Sequence, residues 1–175
     1  MKKIILGVCF WSAFFLFSTG AMAQFKKGDN LLNVGIGVNS YYSGGIPLSV
    51  SYEKGVTEDI SVGGSLDYLS HHYGVFGADY RFTALYIGAR GSYHFNRLLN
   101  LRNDKVDIYA GVGLGYRSFS WSNYNGISLG NTYGSGLFLG IYAGGRYYFS
   151  KKVGGFLELG ALGSTNARLG VSFRF

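Results

Sequence analysis

The sequence predicts an all-β fold, an eight-stranded antiparallel up-and-down transmembrane β-barrel. Three observations carry this prediction: 47% apolar residues with only 14% charged, segments that alternate apolar with polar or glycine residues, and aromatic residues at the ends of those segments. Low charge with high apolar content excludes a disordered chain, and a period of two is the pattern of a strand with two different faces. A single Cys excludes a disulfide scaffold, and no Cys/His spacing resembles a zinc site.

Residues 1–23 have the pattern of a cleaved secretory signal peptide, which leaves residues 24–175 as the barrel domain. Two lysines are followed by an apolar run, Ile4 to Phe17, and by the small-x-small sequence Ala21-Met22-Ala23. The run is shorter than the roughly 20 residues that a helix needs to cross a bilayer, so a retained anchor helix is the lesser alternative. We therefore expect secretion through the inner membrane.

Eight alternating runs follow, separated by polar or glycine-rich breaks. In the first, Leu32, Val34 and Ile36 share one face, while asparagine and glycine occupy the other. Period alone does not say which face is inside. The predicted strands are Asn30–Ser40, Ile46–Lys54, Asp59–Leu69, Arg81–Phe95, Val106–Arg117, Leu137–Phe149, Val153–Ala161 and Ala167–Phe175.

The composition of the two faces decides which one is outside. The polar face holds glycine, serine and isolated charges, which suits a narrow lumen better than a solvated surface. The apolar face of every even-numbered run ends in aromatic residues, which would share one rim of an up-and-down barrel, as girdles do at a membrane interface. These residues are Tyr52, Tyr93, Phe95, Tyr147, Phe149, Phe173 and Phe175, with Tyr68 and Tyr116 at the opposite rim. The apolar face is therefore predicted to face lipid.

Four phrases carry a resemblance to a known family: Asp107 to Tyr116, Arg146 to Phe149, Gly155 to Gly160 and Leu169 to Phe175. Through them the chain resembles the small outer-membrane β-barrel proteins of Gram-negative bacteria, and most of all the barrel-domain proteins common in the Bacteroidota. The resemblance covers nearly the whole chain after the signal peptide. It implies location in the cell outer membrane and a C-terminal signal, Phe173 and Phe175, read by the barrel-assembly machinery. It implies no particular activity.

Turn lengths predict the orientation of the barrel. Membrane barrels have short periplasmic turns and longer external loops. The segments Gly55–Glu58 and Ser150–Lys152 are short, whereas Ser70–Tyr80 and Ser118–Gly134 are long and are predicted to be external loops. Two segments depart from this rule: Asn96–Asp104 is long for a periplasmic turn, and Gly163–Asn166 is short for an external loop.

The inward face carries charges that we expect to form a structural network in the lumen. An eight-stranded barrel is just wide enough for side chains to fill it, and buried charges need partners. Asp107 and Arg146 fall near the periplasmic ends of adjacent strands, so we predict that they pair, and His94 should be a hydrogen-bonded lumen residue. A narrow proton or ion path is the alternative. The predicted network is Glu53, Asp67, Arg90, Asp107, Arg117, Arg146, Glu158, Arg168 and Arg174.

Catalytic and metal chemistry find little support. Gly126 to Gly130 matches G-x-S-x-G, with Ser128 at its centre, but that motif requires a strand–turn–helix setting and here lies between two strands. His71 and His72 could approach Ser128 in a lipid-modifying enzyme, or could bind a metal, but adjacent loop histidines are more often solvated. We expect no enzyme, no cofactor and no metal.

Aromatic residues in the predicted external loops suggest contacts with a partner, since exposed aromatics are favoured at binding surfaces. Alternatively, they extend the girdle or pack over the barrel mouth. The candidates are Tyr41, Tyr42, Tyr73, Phe76, Trp121, Tyr124 and Tyr133.

The leading functional hypothesis is a monomeric structural or surface-interaction protein, which contacts outer-membrane lipid, lipopolysaccharide and an unknown external ligand. A narrow solute channel and a lipid-modifying enzyme are the alternatives. The net charge of +7 comes from scattered residues, which argues against nucleic acid.

Overall fold

The computed structural model describes residues 25–42, 44–75, 78–122 and 134–175, so the expected signal peptide lies outside the described residues. Within these four ranges no helix is long and apolar enough to cross a membrane. The described residues form eight strands: β1 Asn30–Ser40, β2 Leu48–Gly55, β3 Ile60–Val75, β4 Ala78–His94, β5 Val106–Ser122, β6 Gly136–Tyr148, β7 Val153–Gly160 and β8 Thr165–Arg174.

The strands form a closed antiparallel barrel, which confirms the predicted fold class. Each strand pairs with its neighbours in sequence, and β1 pairs with β8, for example Asn33 with Ser172. At the seam the backbone N–H of Phe175 donates to the carbonyl of Asn30 at 3.0 Å, and the N–H of Asn30 donates to that of Phe175 at 2.9 Å. Closure removes the free sheet edges, a condition for any β-structure that crosses lipid.

The outward face of the barrel is apolar and exposed. On β5 and β6, Val112, Leu139 and Ile141 are 58%, 74% and 66% exposed. The other six strands also carry exposed apolar residues. A continuous apolar surface around a whole barrel is far larger than the patches that soluble monomers tolerate. It has the position and chemistry of the lipid-facing band of a membrane barrel.

The two ends of the barrel differ. We call the end that holds both Phe25 and Phe175 the terminal end, and the other the hairpin end. The terminal end has the turns 56–59, 95–105 and 149–152. Two aromatic pairs lie at this end: the rings of Tyr93 and the half-buried Phe95 are 5.0 Å apart, and those of the exposed Tyr147 and Phe149 are 5.7 Å apart. Tyr68 and Tyr116 are exposed toward the hairpin end. Aromatic residues therefore flank the apolar band on both sides.

One sequence prediction about this end is wrong: Ser70–Tyr80 is not a loop. β3 and β4 continue as a hairpin through this segment, with Ser70 opposite Thr83 and His72 opposite Arg81. Polar residues on both faces hide the alternation, but Leu69 and Phe82 at its base are completely buried. Burial of that base extends the two strands, and β5 likewise continues to Ser122.

Candidate functional site

The lumen contains a chain of alternating charges. Arg90 on β4 lies between two carboxylates: its Nε is 2.9 Å from Oε1 of Glu53, and its Nη2 is 2.7 Å from Oε2 of Glu158. Arg168 continues the chain, with Nη1 3.0 Å from Oε1 of Glu158 and Nε 3.1 Å from Oδ2 of Asp67. All five residues are buried. Each carboxylate therefore meets the guanidinium that its burial requires.

A second branch joins this chain from the terminal end. Asp107 and Arg146 are register partners on β5 and β6, and Nη1 of Arg146 lies 2.7 Å from Oδ2 of Asp107. The other oxygen of Asp107 lies 2.7 Å from Nδ1 of His94, whose Nε2 is 3.0 Å from the hydroxyl of Ser61. Ser61 in turn donates to Glu53 at 2.6 Å. The structure thus brings together the pair that the sequence analysis proposed, and it connects them to the first chain.

Three tyrosines pack against arginines of the lumen, and the sequence analysis did not select them. The guanidinium carbons of Arg90, Arg146 and Arg174 lie 4.1, 4.0 and 4.2 Å from the ring centres of Tyr142, Tyr109 and Tyr148, respectively. Such cation–π contacts add to the ion pairs when they are desolvated. The available signal was the inward phase of these tyrosines, since each alternates in register with the charges.

The terminal end of the lumen is closed by the segment before β1. The ring of Phe25 stacks on His94 with their centres 3.5 Å apart. Asp29, which precedes β1, is also buried. Burial raises the pKa of the Asp29 carboxyl above its ordinary value, although the backbone N–H of Lys26 and the charge of Arg174 act in the opposite direction.

The hairpin end of the lumen is filled by an aromatic plug. It consists of the buried residues Tyr42, Leu69, Phe82, Ala84, Tyr86 and Phe119. Tyr42 and Tyr86 are joined by a hydrogen bond between their hydroxyls, and the ring of Tyr42 lies 5.0 Å from Phe82. The prediction that Tyr42 is an exposed loop contact is therefore wrong, because the residue packs inward. Trp121 also belongs to β5 rather than to a loop, and its half-buried ring lies 4.8 Å from Phe82.

The other candidate loop residues are placed as follows. Tyr41 is exposed, and its hydroxyl donates to the carbonyl of Gly160 at 3.4 Å. Tyr73 belongs to β3, and its side chain is not described. Phe76, Tyr124, Tyr133 and the candidate nucleophile Ser128 lie outside the described residues.

The two candidate histidines do not converge on a metal-like geometry. His72 accepts a hydrogen bond from Nε of Arg81 at 2.9 Å, and the half-buried ring of His71 lies against Gly44. In the part of the chain that the structure describes, no group of three or more His, Cys, Asp or Glu side chains could hold a metal ion.

Two of the free volumes among the described residues bear on the chemistry of the lumen. Beside Arg90, Glu158 and Arg168 the free volume is about 10 Å³, enough for roughly one water molecule. At the hairpin end a cleft of about 400 Å³ opens above the plug, and Arg117 is the charged residue in its lining. Among the described residues the middle of the lumen is thus filled, and the cleft lies on the outer side of the plug at the hairpin end.

Together, the fold and the filled lumen define a small membrane-type β-barrel, and known structures agree with this class. The chain superposes on the N-terminal β-barrel domain of Pseudomonas aeruginosa OprF with a TM-score of 0.53 and 20% identity, covering 87% of this chain and 100% of that one. It superposes on Ail, the attachment invasion locus protein of Yersinia pestis, with a TM-score of 0.54 and 15% identity over 85% and 99% of the two chains.

Neisserial surface protein A gives a TM-score of 0.51 and 17% identity, covering 84% of this chain and 94% of that one. No family model matches the chain, and no curated protein does. At these identities the likeness shows the fold alone.

Proposed function

We propose that the protein is an integral protein of the bacterial outer membrane with a non-enzymatic structural or surface-interaction role. The filled lumen carries this proposal. Ion pairs among Glu53, Arg90 and Glu158 occupy its middle, and the aromatic plug covers them toward the hairpin end. Because the interior is occupied, the surfaces that can meet a partner are the two ends and the lipid-facing band.

Two of the turns support one orientation in the membrane. The turns 56–59 and 149–152 are short, which supports a periplasmic terminal end and an external hairpin end. Secretion by way of a signal peptide at residues 1–23 belongs to this proposal, as do a monomeric state and contacts with outer-membrane lipid and lipopolysaccharide. Two of the similar structures carry names that refer to attachment and to the cell surface, which fits an external role. The finer resemblance to Bacteroidota barrel proteins rests on the sequence phrases alone.

The proposed assembly signal has a matched control in the same chain. Phe175 and Phe149 both lie at the terminal end and are both 60% exposed, but only Phe175 directly follows β8. We expect Phe175→Ser to reduce the amount of folded barrel in the outer-membrane fraction, because the barrel-assembly machinery would read it poorly. Phe149→Ser should leave that amount nearly unchanged. Equal yields from the two variants would contradict the role of Phe175.

Two measurements test the function itself. In semi-native electrophoresis of the outer-membrane fraction, we expect the unboiled protein to migrate differently from the boiled one, as folded membrane barrels do. In planar bilayers the same protein should show no stable conductance, because the lumen is filled. A steady ion current would support the narrow-channel alternative, and altered lipid A mass after deletion of the protein would support the lipid-modifying alternative.

A further inference from the structure

Three of the five arginines of the lumen network form ion pairs among the described residues, and Arg117 is not one of them. Arg90, Arg146 and Arg168 each lie within 3.1 Å of a carboxylate oxygen. Arg174 lies at the terminal end in the field of Asp29. Arg117 forms no ion pair with any carboxylate among the described residues, and its buried Nε has no hydrogen-bond acceptor there.

The positions of the acidic residues explain why Arg117 has no carboxylate partner among the described residues. The lumen carboxylates, Glu53, Asp67, Asp107 and Glu158, are all engaged by other arginines. Asp79 is the acid of the β3–β4 hairpin, but it stands seven positions along β4 from Tyr86, the register partner of Arg117. That offset corresponds to about 24 Å along the strand. The surroundings of Arg117 are neutral instead: its side chain forms a hydrogen bond with Tyr86, and the ring of Phe119 lies 5.8 Å away.

Arg117 is also the charged residue in the lining of the open cleft at the hairpin end. Tyr41, Tyr42, Phe119 and Phe138 form the walls, and the volume is about 400 Å³. Small-molecule sites commonly have this size, aromatic walls and a few placed polar groups. A partly buried cation without a counter-ion is costly, and an anion entering the cleft would remove that cost.

We propose that this cleft binds a small organic anion in which one carboxylate or sulfate group is joined to a flat ring. The acid group pairs with Arg117, and the ring packs against the tyrosine and phenylalanine walls. This deepens the proposed function, because access to an external ligand rests on the hairpin end facing outward. Binding by the purified protein does not depend on that orientation, so the two proposals can fail separately.

The test uses the purified full chain in zwitterionic micelles, with folding checked by the boiling-dependent gel shift. Binding of phenylacetate, phenyl sulfate, acetate and the neutral phenylacetamide is followed by saturation-transfer NMR with titration. We expect saturable binding of phenylacetate and phenyl sulfate, at least about tenfold tighter than that of phenylacetamide or acetate. Equal binding of the two anions would mean that the cleft accepts either a carboxylate or a sulfate group. Tighter binding of one would identify the acid group that the cleft prefers.

Variants assign the binding to the cleft. Arg117→Gln should weaken phenylacetate binding at least about tenfold. Arg81→Gln removes an exposed cation at the same end and should leave binding unchanged. The proposal is overturned by phenylacetate binding that survives Arg117→Gln, by phenylacetamide binding equally well, or by no saturable binding at all. If Arg117→Gln does not fold, the comparison of charged and neutral probes on the unaltered protein still decides.

Discussion

Replacing Glu158 by glutamine should strongly destabilise the barrel. The Glu158 carboxylate is buried between two guanidinium groups, 2.7 Å from Arg90 and 3.0 Å from Arg168, and it accepts from the hydroxyl of Tyr109 at 3.2 Å. Glutamine has nearly the same volume, so the change removes charge without creating a cavity. Both arginines would then remain buried with one carboxylate fewer each.

The expected loss follows from what remains. Removing one partner of a buried ion pair costs about 3–5 kcal/mol. Arg90 keeps Glu53 at 2.9 Å and Arg168 keeps Asp67 at 3.1 Å, so the loss should lie at the lower end of that range. At a denaturant dependence of about 1.5 kcal/mol per molar urea, a loss of about 3 kcal/mol lowers the unfolding midpoint by roughly 2 M.

The assay is urea unfolding of the barrel in lipid vesicles, followed by the fluorescence of Trp121 and by the gel shift. Glu58→Gln is the matched control, because it makes the same chemical change at an exposed position in the β2–β3 turn. It should alter the free energy of unfolding by less than about 0.5 kcal/mol. If Glu158→Gln moves the midpoint no more than Glu58→Gln does, the ion-pair network does not hold the barrel together and the reasoning is refuted.

Three further predictions concern other parts of the barrel. Without ligand, Arg117→Gln should leave the melting temperature unchanged or raise it, whereas Arg90→Gln should lower it, because only Arg90 has carboxylate partners; equal losses in thermal melts would contradict this. Asp29→Asn should raise the melting temperature near pH 7, because the raised pKa of the Asp29 carboxyl means that the folded state disfavours its charged form. The gain should vanish below about pH 4, where the carboxyl is protonated in both the folded and the unfolded state. Asp104→Asn, in an exposed turn, should show no such gain in melts at the two pH values. Gly163→Ala should destabilise by about 1–3 kcal/mol in urea unfolding, because φ is 117° and a Cβ would meet the Asp67–Arg168 ion pair; an unchanged midpoint would contradict it.

Alternation of residues was enough to predict the barrel and much of its lumen. The first strand was predicted as Asn30–Ser40 and is observed with those bounds. The inward phase of β5 and β6 placed Asp107 and Arg146 in adjacent positions, and their side chains meet. These features are local, because a period of two fixes which face each side chain occupies once a strand forms.

The residues that close the lumen could not be predicted in this way. Phe25 and Tyr42 lie outside any alternating run, and only the closed barrel brings Phe25 to His94 and Tyr42 to Phe82. The β3–β4 hairpin is not predicted for a related reason: Ser70, His71 and His72 give no apolar face. The buried Leu69 and Phe82 at the base of the hairpin are 13 positions apart in sequence (82 − 69). Contacts between distant segments decide these features.

Spin-label accessibility measures directly whether the apolar face of the barrel meets lipid. Single cysteines at Val112, Leu139 and Ile141 carry nitroxides in the protein reconstituted in lipid vesicles, with Lys151 in an exposed turn as the aqueous reference. We expect the first three labels to be relaxed by oxygen, which concentrates in lipid, and the fourth by a water-soluble nickel complex. If the three labels are reached by the nickel complex, or by neither reagent, then the apolar face does not meet lipid and the account is contradicted.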